Sequence, residues 1–220
     1  MVKVEKGCIL LADISGYTRL VTSISLEHSR SVVNMIFKKM YAATVKEYEV
    51  KEIEGDAIFA LSNKKGNDKL FKATLKQIDN YADAFYGVRS QLTKNPPDCK
   101  CEFCAHVDKM SIKFVVHYGE YTVDQIGPIK SVVGKDVVLA HRLLKNSVKS
   151  KSYVLLTEDA LKLDKNYQEG MKDAHVENVE YFGDVRVGVK LFDWDKHGKG
   201  KFIIGDEEGK KGFLGMFSKG

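Results

Sequence analysis

Residues 7–20, GCILLADISGYTRL, decide the fold. Cys8 to Ala12 run without a polar interruption, the pattern of a strand covered on both faces. Lys3 to Ile14 is therefore predicted as a central strand, closed by Asp13 and broken at a Ser15-Gly16 turn. Its partner stretch is 51–61, KEIEGDAIFAL, where two apolar runs meet at Gly55-Asp56. Val50 to Ile53 and Ala57 to Leu61 read as two short strands joined by a tight turn in which glycine supplies the positive φ. A buried strand that delivers one carboxylate at its exit, and a hairpin that delivers a second at its tip, suit a divalent metal ion and phosphate.

Outward from these stretches, apolar residues recur every three or four positions. Val33, Ile36, Phe37, Met40, Tyr41, Thr44, Val45 and Tyr48 predict a helix over about 25–48. Phe71, Thr74, Leu75, Ile78, Tyr81, Ala82, Phe85, Val88 and Leu92 predict a second over Asn67–Thr93, with Asp68 near its start and Pro96-Pro97 stopping it. Met110 to Tyr121 reads as a strand, Gly127 to Gly134 as a connection, and Lys135 to about Ser147 as a helix. Tyr153 to Thr157 reads as a strand, Glu158-Asp159 opens a short helix, and closing strands fall near Glu180 to Asp195. This order implies an α+β sheet with helices on one face.

A chain of 220 residues suffices for one good core. Hydrophobic residues at 44% and charged residues at 30% are ordinary for a globular protein. The 35 Lys and Arg against 30 Asp and Glu give a net +5. These charges are interspersed with acids, which implies a mildly basic surface and no nucleic-acid partner. No apolar run approaches the roughly 20 residues of a spanning helix, and MVKVEKG lacks a signal-peptide core, so the expectation is a cytoplasmic protein without a transmembrane segment.

ADISGYT (12–18), EIEGDAIFA (52–60) and VVGKDVVLAHRL (132–143), in that order and spacing, resemble the signature blocks of class III nucleotidyl cyclases. The resemblance spans about residues 5–195. It implies a ferredoxin-like class III cyclase domain over 1–195, with a central, mostly antiparallel sheet and helices packed on it. Cys99, Cys101 and Cys104 in an insertion over 96–109, before the strand KFVVHYG, resemble a bacterial branch of that superfamily. Residues 196–220, rich in Gly and Lys, read as a mobile tail whose apolar patch Gly212 to Phe217 is a docking element.

The resemblance implies that Asp13 and Asp56 hold two Mg²⁺ or Mn²⁺ ions beneath a nucleoside triphosphate, at the interface of a homodimer. Hard oxygen ligands suit metals that must neutralise a triphosphate and acidify a ribose hydroxyl together. The turn Ile14, Ser15, Gly16, Tyr17 and Thr18 offers backbone N–H groups to the phosphates. Arg142 matches the family's transition-state arginine. Val138 stands where the ribose-orienting Asn belongs, and valine makes no hydrogen bond. Asn146 lies one turn beyond Arg142 but would reverse the order of the two groups.

Glu52 and Ser131 occupy the base-selecting positions and lean toward guanine; a one-residue bulge would present Lys51 instead. The family's triphosphate lysine falls near Asp184, with Arg186 or Lys190 as substitutes.

Each assignment has a plainer counterpart. Asp13 also reads as an N-cap, Asp56 as a turn residue and Arg142 as a surface ion-pair residue. Cys99, Cys101, Cys104 and His106 suit a tetrahedral structural Zn²⁺, or are three reduced thiols in a loop. His117 and His141 read as structural. Metal-dependent cyclisation of an NTP at a homodimer interface is the first functional expectation. A catalytically deficient nucleotide-binding or pairing module is the second, and an adaptor working through the cysteine insertion and tail is the third. Carboxyl groups more than about 10 Å apart, or either one locked into an internal salt bridge, would end the reading of shared metal binding.

Overall fold

The computed structural model describes residues 3–18, 22, 26–94, 106–167, 171 and 174–192. Cys99, Cys101, Cys104 and the tail from 193 onward, with its apolar patch, lie outside the described residues. Strand β1 (Val4–Ser15) is followed by α1 (Leu26–Ala42), β2 (Glu49–Glu54), β3 (Ala57–Ser62) and α2 (Asp68–Lys94). Then come β4 (Ser111–Ile126), β5 (Ile129–Val133), α3 (Lys135–Arg142), β6 (Tyr153–Thr157), α4 (Glu158–Leu161), β7 (His175–Val179) and β8 (Gly183–Leu191). The sheet runs β2-β3-β1-β4-β6-β8-β7, with β5 hydrogen-bonded to the far half of β4. Its pairings are antiparallel except β4 with β6.

The uninterrupted apolar run of β1 is buried because layers cover both faces. Cys8, Leu10, Ala12 and Ile14 face α1 and α2, whereas Ile9 and Leu11 face Val137, Leu139 and Ala140 of α3. Helices thus lie on both faces, not on one: the connection between the parallel strands β4 and β6 carries α3 to the second face. Asp13 continues the odd-numbered series of Ile9 and Leu11, so the backbone alternation directs it to the α3 side.

Helix α2 holds by burial more than by propensity. Leu75, Ile78, Tyr81, Ala82 and Phe85 are fully enclosed, each of the larger ones contributing about 1.5–3 kcal/mol. Asn67 caps it, its Oδ1 accepting the Leu70 N–H at 3.0 Å. Helix α1 ends at Ala42, short of the expected Tyr48, because α2 takes over its last backbone groups. Gln77 Oε1 accepts the Val45 N–H at 2.6 Å, Asn80 Nδ2 donates to the Ala43 carbonyl, and Thr44 Oγ1 meets the Tyr81 hydroxyl. Tyr41, placed on the buried stripe by its spacing, is 60% exposed.

Three further boundaries differ from the sequence reading. The segment expected to connect Gly127 to Gly134 is strand β5, which with a lengthened β4 forms a hairpin turning at Gly127. Helix α3 stops at Arg142, because Asn146 Nδ2 donates to the Leu143 carbonyl and Asn146 Oδ1 accepts the Val148 N–H, an Asx turn that replaces the next helical turn. The first closing strand begins at His175, before Glu180. Gly7 marks a close approach of chains, since a Cβ there would lie 1.6 Å from the Ser62 carbonyl oxygen.

Candidate functional site

The β2–β3 turn places Gly55 at φ +57°, and the next residue, Asp56, lies against the end of β1. Asp13 pairs with Ala57 across the two strands, and the Asp56 carbonyl accepts the Ile14 N–H at 2.9 Å. The two aspartates are therefore neighbours through backbone contact, on strands adjacent in the sheet. That bond also commits the Ile14 N–H, which leaves Gly16, Tyr17 and Thr18 as the donors of the turn beyond Ser15. Gly16, at φ +95°, makes the turn, and the Ser15 hydroxyl donates to the Lys151 carbonyl.

An internal salt bridge of the kind expected to end the shared-metal reading is present at Asp13, so an ion can bind there only by displacing the lysine. Lys113 Nζ lies 3.3 Å from Asp13 Oδ1 and donates to the Leu144 carbonyl at 3.2 Å. It counts against a preformed two-ion site, because an ammonium stands where an ion would approach. It does not saturate the carboxylates. Burial pushes the Asp13 pKa up, Lys113 opposes this, and the charge of Asp56 raises it further. The net shift is upward, with burial the largest cause, so Lys113 does not fully offset the loss of hydration at Asp13. Lys113, like Glu180 and Tyr181 beside Arg142, is a site residue that the sequence pattern does not single out, because its contact depends on which strands become neighbours.

Two adjacent carboxylates suit Mg²⁺ or Mn²⁺, which take one or two protein carboxylates and complete their shell with phosphate and water. Among the described residues there is no cluster of three or more His, Cys, Asp or Glu able to enclose a metal by itself. His106 precedes a 3₁₀ turn (Val107–Lys109), and Cys99, Cys101 and Cys104, named with it from the sequence, lie outside the described residues.

The other residues named from the sequence are dispersed. Strand β2 carries a register shift between Val50 and Glu52, so Lys51 is the extra residue of a bulge. Lys51 pairs with Glu49 at 2.6 Å, while Glu52 is exposed opposite Phe59. Ser131 pairs with Asp124 on the β4–β5 hairpin, eleven residues along β4 from Lys113, the partner of Asp13. That is a contour of roughly 36 Å at about 3.3 Å per residue, so one copy does not bring Ser131 to its own carboxylate pair.

Val138 and Arg142 do share a helix face. They line a groove of about 610 Å³ between α3 and the β7–β8 hairpin, floored by Val137, Val138 and Val179. Arg142 Nη1 donates to Glu180 at 2.8 Å, matching the surface ion-pair reading, and its guanidinium sits 5.1 Å from the centroid of the Tyr181 ring. Asn146 is off the helix, donating to the Leu143 carbonyl and the Tyr153 hydroxyl, so it is no substitute for the missing Asn.

The triphosphate-lysine substitutes lie on the wrong face. Lys190 pairs in register with Val154 of the α1–α2 layer and faces Asp79, and burial pulls its pKa down to about 8. Arg186 has the same parity and approaches Glu158 at 3.6 Å. Asp184 accepts a hydrogen bond from Asn178.

His117 is 2% exposed; its Nδ1 meets Thr157 Oγ1 at 2.9 Å, and its Nε2, 3.8 Å from Asp136, has no hydrogen-bond partner. His141 packs edge-on against Phe59. Both are packing residues of the α3 face.

The fold so described is that of a class III nucleotidyl cyclase domain. The adenylyl cyclase CyaB from P. aeruginosa superposes with a TM-score of 0.66 at 17% identity, over 88% of this chain and 96% of that one. The guanylyl cyclase Cya2 gives 0.68 at 18% identity, over 84% and 91%. A class III adenylyl cyclase-like ATP-binding protein from Pseudomonas aeruginosa gives 0.63 at 16%, over 78% of this chain and 37% of that one. At these identities the likeness concerns the fold. By sequence, the chain belongs to the family described as protein of unknown function (DUF2652), whose model matches residues 33–153. It is 33% identical over 113 residues to the uncharacterized protein Rv2561/Rv2562 of Mycobacterium tuberculosis (strain ATCC 25618 / H37Rv), and spans about half the length of that curated relative (51%). None of the described helices is long and apolar enough to cross a membrane.

Proposed function

We propose that the chain is a class III cyclase-like domain that binds a metal–nucleoside triphosphate at Asp13 and Asp56. As a homodimer it converts the nucleotide slowly to a 3′,5′-cyclic nucleotide and pyrophosphate. The observation that supports this reading is the Ile14–Asp56 backbone bond, which makes Asp13 and Asp56 chain neighbours at the exit of β1, close enough for the Asp56 charge to act on Asp13. Bound Mg²⁺ or Mn²⁺ would neutralise the triphosphate and acidify the ribose 3′-hydroxyl.

The chain's own groups do the rest. Asp13 and Asp56 hold the cations, and the amides of Gly16, Tyr17 and Thr18 face the phosphates. Arg142 of a second copy meets the α-phosphate as the 3′-oxygen attacks it and pyrophosphate leaves. A second copy is needed because the contour between the carboxylates and Ser131 exceeds the length of a nucleotide. Ser131 with Glu52 selects the base, and the bulge at Lys51 offers a cation in place of the carboxylate. Val138 leaves the ribose without its orienting hydrogen bond, which makes turnover slow.

The test is incubation with each of the four NTPs and Mn²⁺, with cyclic product read by mass spectrometry. Product that vanishes in Asp13→Ala and Asp56→Ala supports the enzyme. Absence of product from all four NTPs refutes it.

The second reading is a nucleotide-binding module without turnover. The wrong-face placement of Arg186 and Lys190, together with Val138, favours it. It is supported by a rise in melting temperature with Mn²⁺–NTP in the absence of product.

A further inference from the structure

Tyr181 is the only non-glycine described residue with positive φ, at +69°. A β-carbon disfavours that region, and a residue persists there only where its surroundings impose it. The residue is 85% exposed, and its backbone is set by the β7–β8 turn, where the Phe182 N–H donates to the Val179 carbonyl at 2.9 Å. What the ring does meet is the Arg142 guanidinium, at 5.1 Å from its centroid. The preceding residue, Glu180, accepts one N–H of the same guanidinium. A planar guanidinium has five donors. With one face covered by the ring and one N–H taken by Glu180, its remaining donors keep a fixed direction. They stand at the rim of the groove floored by Val137, Val138 and Val179, with Lys145 beside them.

We propose that Tyr181, aided by Glu180, is a positioning residue that holds Arg142 as a preformed receptor for a phosphoryl oxyanion of a polyphosphate. The proposal deepens the cyclase-like reading and rests on Arg142 as the phosphate-facing group. Charge and shape both fit. Arg142 and Lys145 outnumber Glu180 at the rim, and a guanidinium fork matches two oxygens of one phosphoryl group.

The experiment measures the rate at which phenylglyoxal modifies Arg142, resolved by peptide mass spectrometry, with and without inorganic tripolyphosphate and without metal. Wild type and Tyr181→Phe, which keeps the ring, are expected to show protection by tripolyphosphate. In Tyr181→Gly this protection falls about two- to fivefold, the scale of an exposed cation–π contact. Glycine relieves the left-handed backbone, so the melting temperature of Tyr181→Gly is expected to equal or exceed that of wild type.

No protection in wild type, or equal protection in Tyr181→Gly, overturns the proposal. Lost protection together with a lower melting temperature overturns it too, because the ring is then a structural prop. Protection without cyclic product from any NTP removes the cyclase reading and leaves this one standing. Cyclic product from an unprotected Arg142 does the reverse.

Discussion

Lys113 joins two elements through one ammonium, 3.3 Å from Asp13 Oδ1 on β1 and 3.2 Å from the Leu144 carbonyl just past α3. The carboxylate end of the sheet is thereby coupled to the helix that carries Arg142.

Replacement of Lys113 by Met should expose that coupling. Both charged groups are mostly enclosed, with side chains 20% and 14% exposed. Loss of the cation leaves Asp13 beside Asp56 without compensation, at a cost of about 1–3 kcal/mol. Mn²⁺ should recover more of the melting temperature in Lys113→Met than it adds to wild type. Equal Mn²⁺ shifts in the two proteins would show that the ammonium and the ion do not compete.

His117 gives the fold a pH dependence. Burial lowers its pKa, opposed by the charges of Asp136 and Asp159 and reinforced by that of Lys6. Because the folded pKa lies below the unfolded one, the unfolded chain binds the proton first as pH falls. Stability is complete above the ordinary histidine pKa of about 6.5 and declines as pH drops through the folded value, with a slope of at most about 1.4 kcal/mol per pH unit. Denaturant melts from pH 7.5 to 5 should show this decline. His117→Asn should flatten it, and an unchanged slope would assign it elsewhere.

Val138→Asn restores a hydrogen-bonding side chain one turn before Arg142. Val138 is 48% exposed at the groove, so the change should alter stability by less than about 0.5 kcal/mol. Under the cyclase reading, formation of cyclic product rises about tenfold or more, the worth of one well-placed hydrogen bond in the transition state. A fold-intact variant with unchanged product would mean that ribose orientation does not limit the rate.

Gly7→Ala is a test of packing. The added methyl would sit 1.6 Å from the Ser62 oxygen and 3.3 Å from the Asn63 Cα, both backbone atoms. Relief requires β1 and β3 to part, so a loss of more than about 3 kcal/mol or failure to yield soluble protein is expected. A well-folded variant with a melting temperature within a few degrees of wild type would contradict this geometry.

The elements legible in the sequence were those with one strong period. The apolar run of β1, the Gly55-Asp56 turn and the long stripe of α2 each carry enough pattern to fix their type. Strand β5 was hidden because its five residues, IKSVV, sit between glycines that read as a loop. The ends of α1 and α3 were set by side chains distant in sequence or by a local Asx turn, Gln77 and Asn80 for one and Asn146 for the other. Of the site, the adjacency of Asp13 and Asp56 could be anticipated from two strand ends. The Lys113 contact and the Glu180–Tyr181 embrace of Arg142 could not, since each depends on which strands become neighbours.

Strands β4 and β6 run the same way, so the chain must travel back outside the sheet before β6 can start, and α3 is part of that return. Topology therefore dictates that some helix covers the Asp13 face, while only Val137, Leu139 and Ala140 on its inner side are held by packing. The outer side is under no such obligation. Chemistry written there, a valine at 138 or an asparagine in its place, can be revised while the architecture stays as it is.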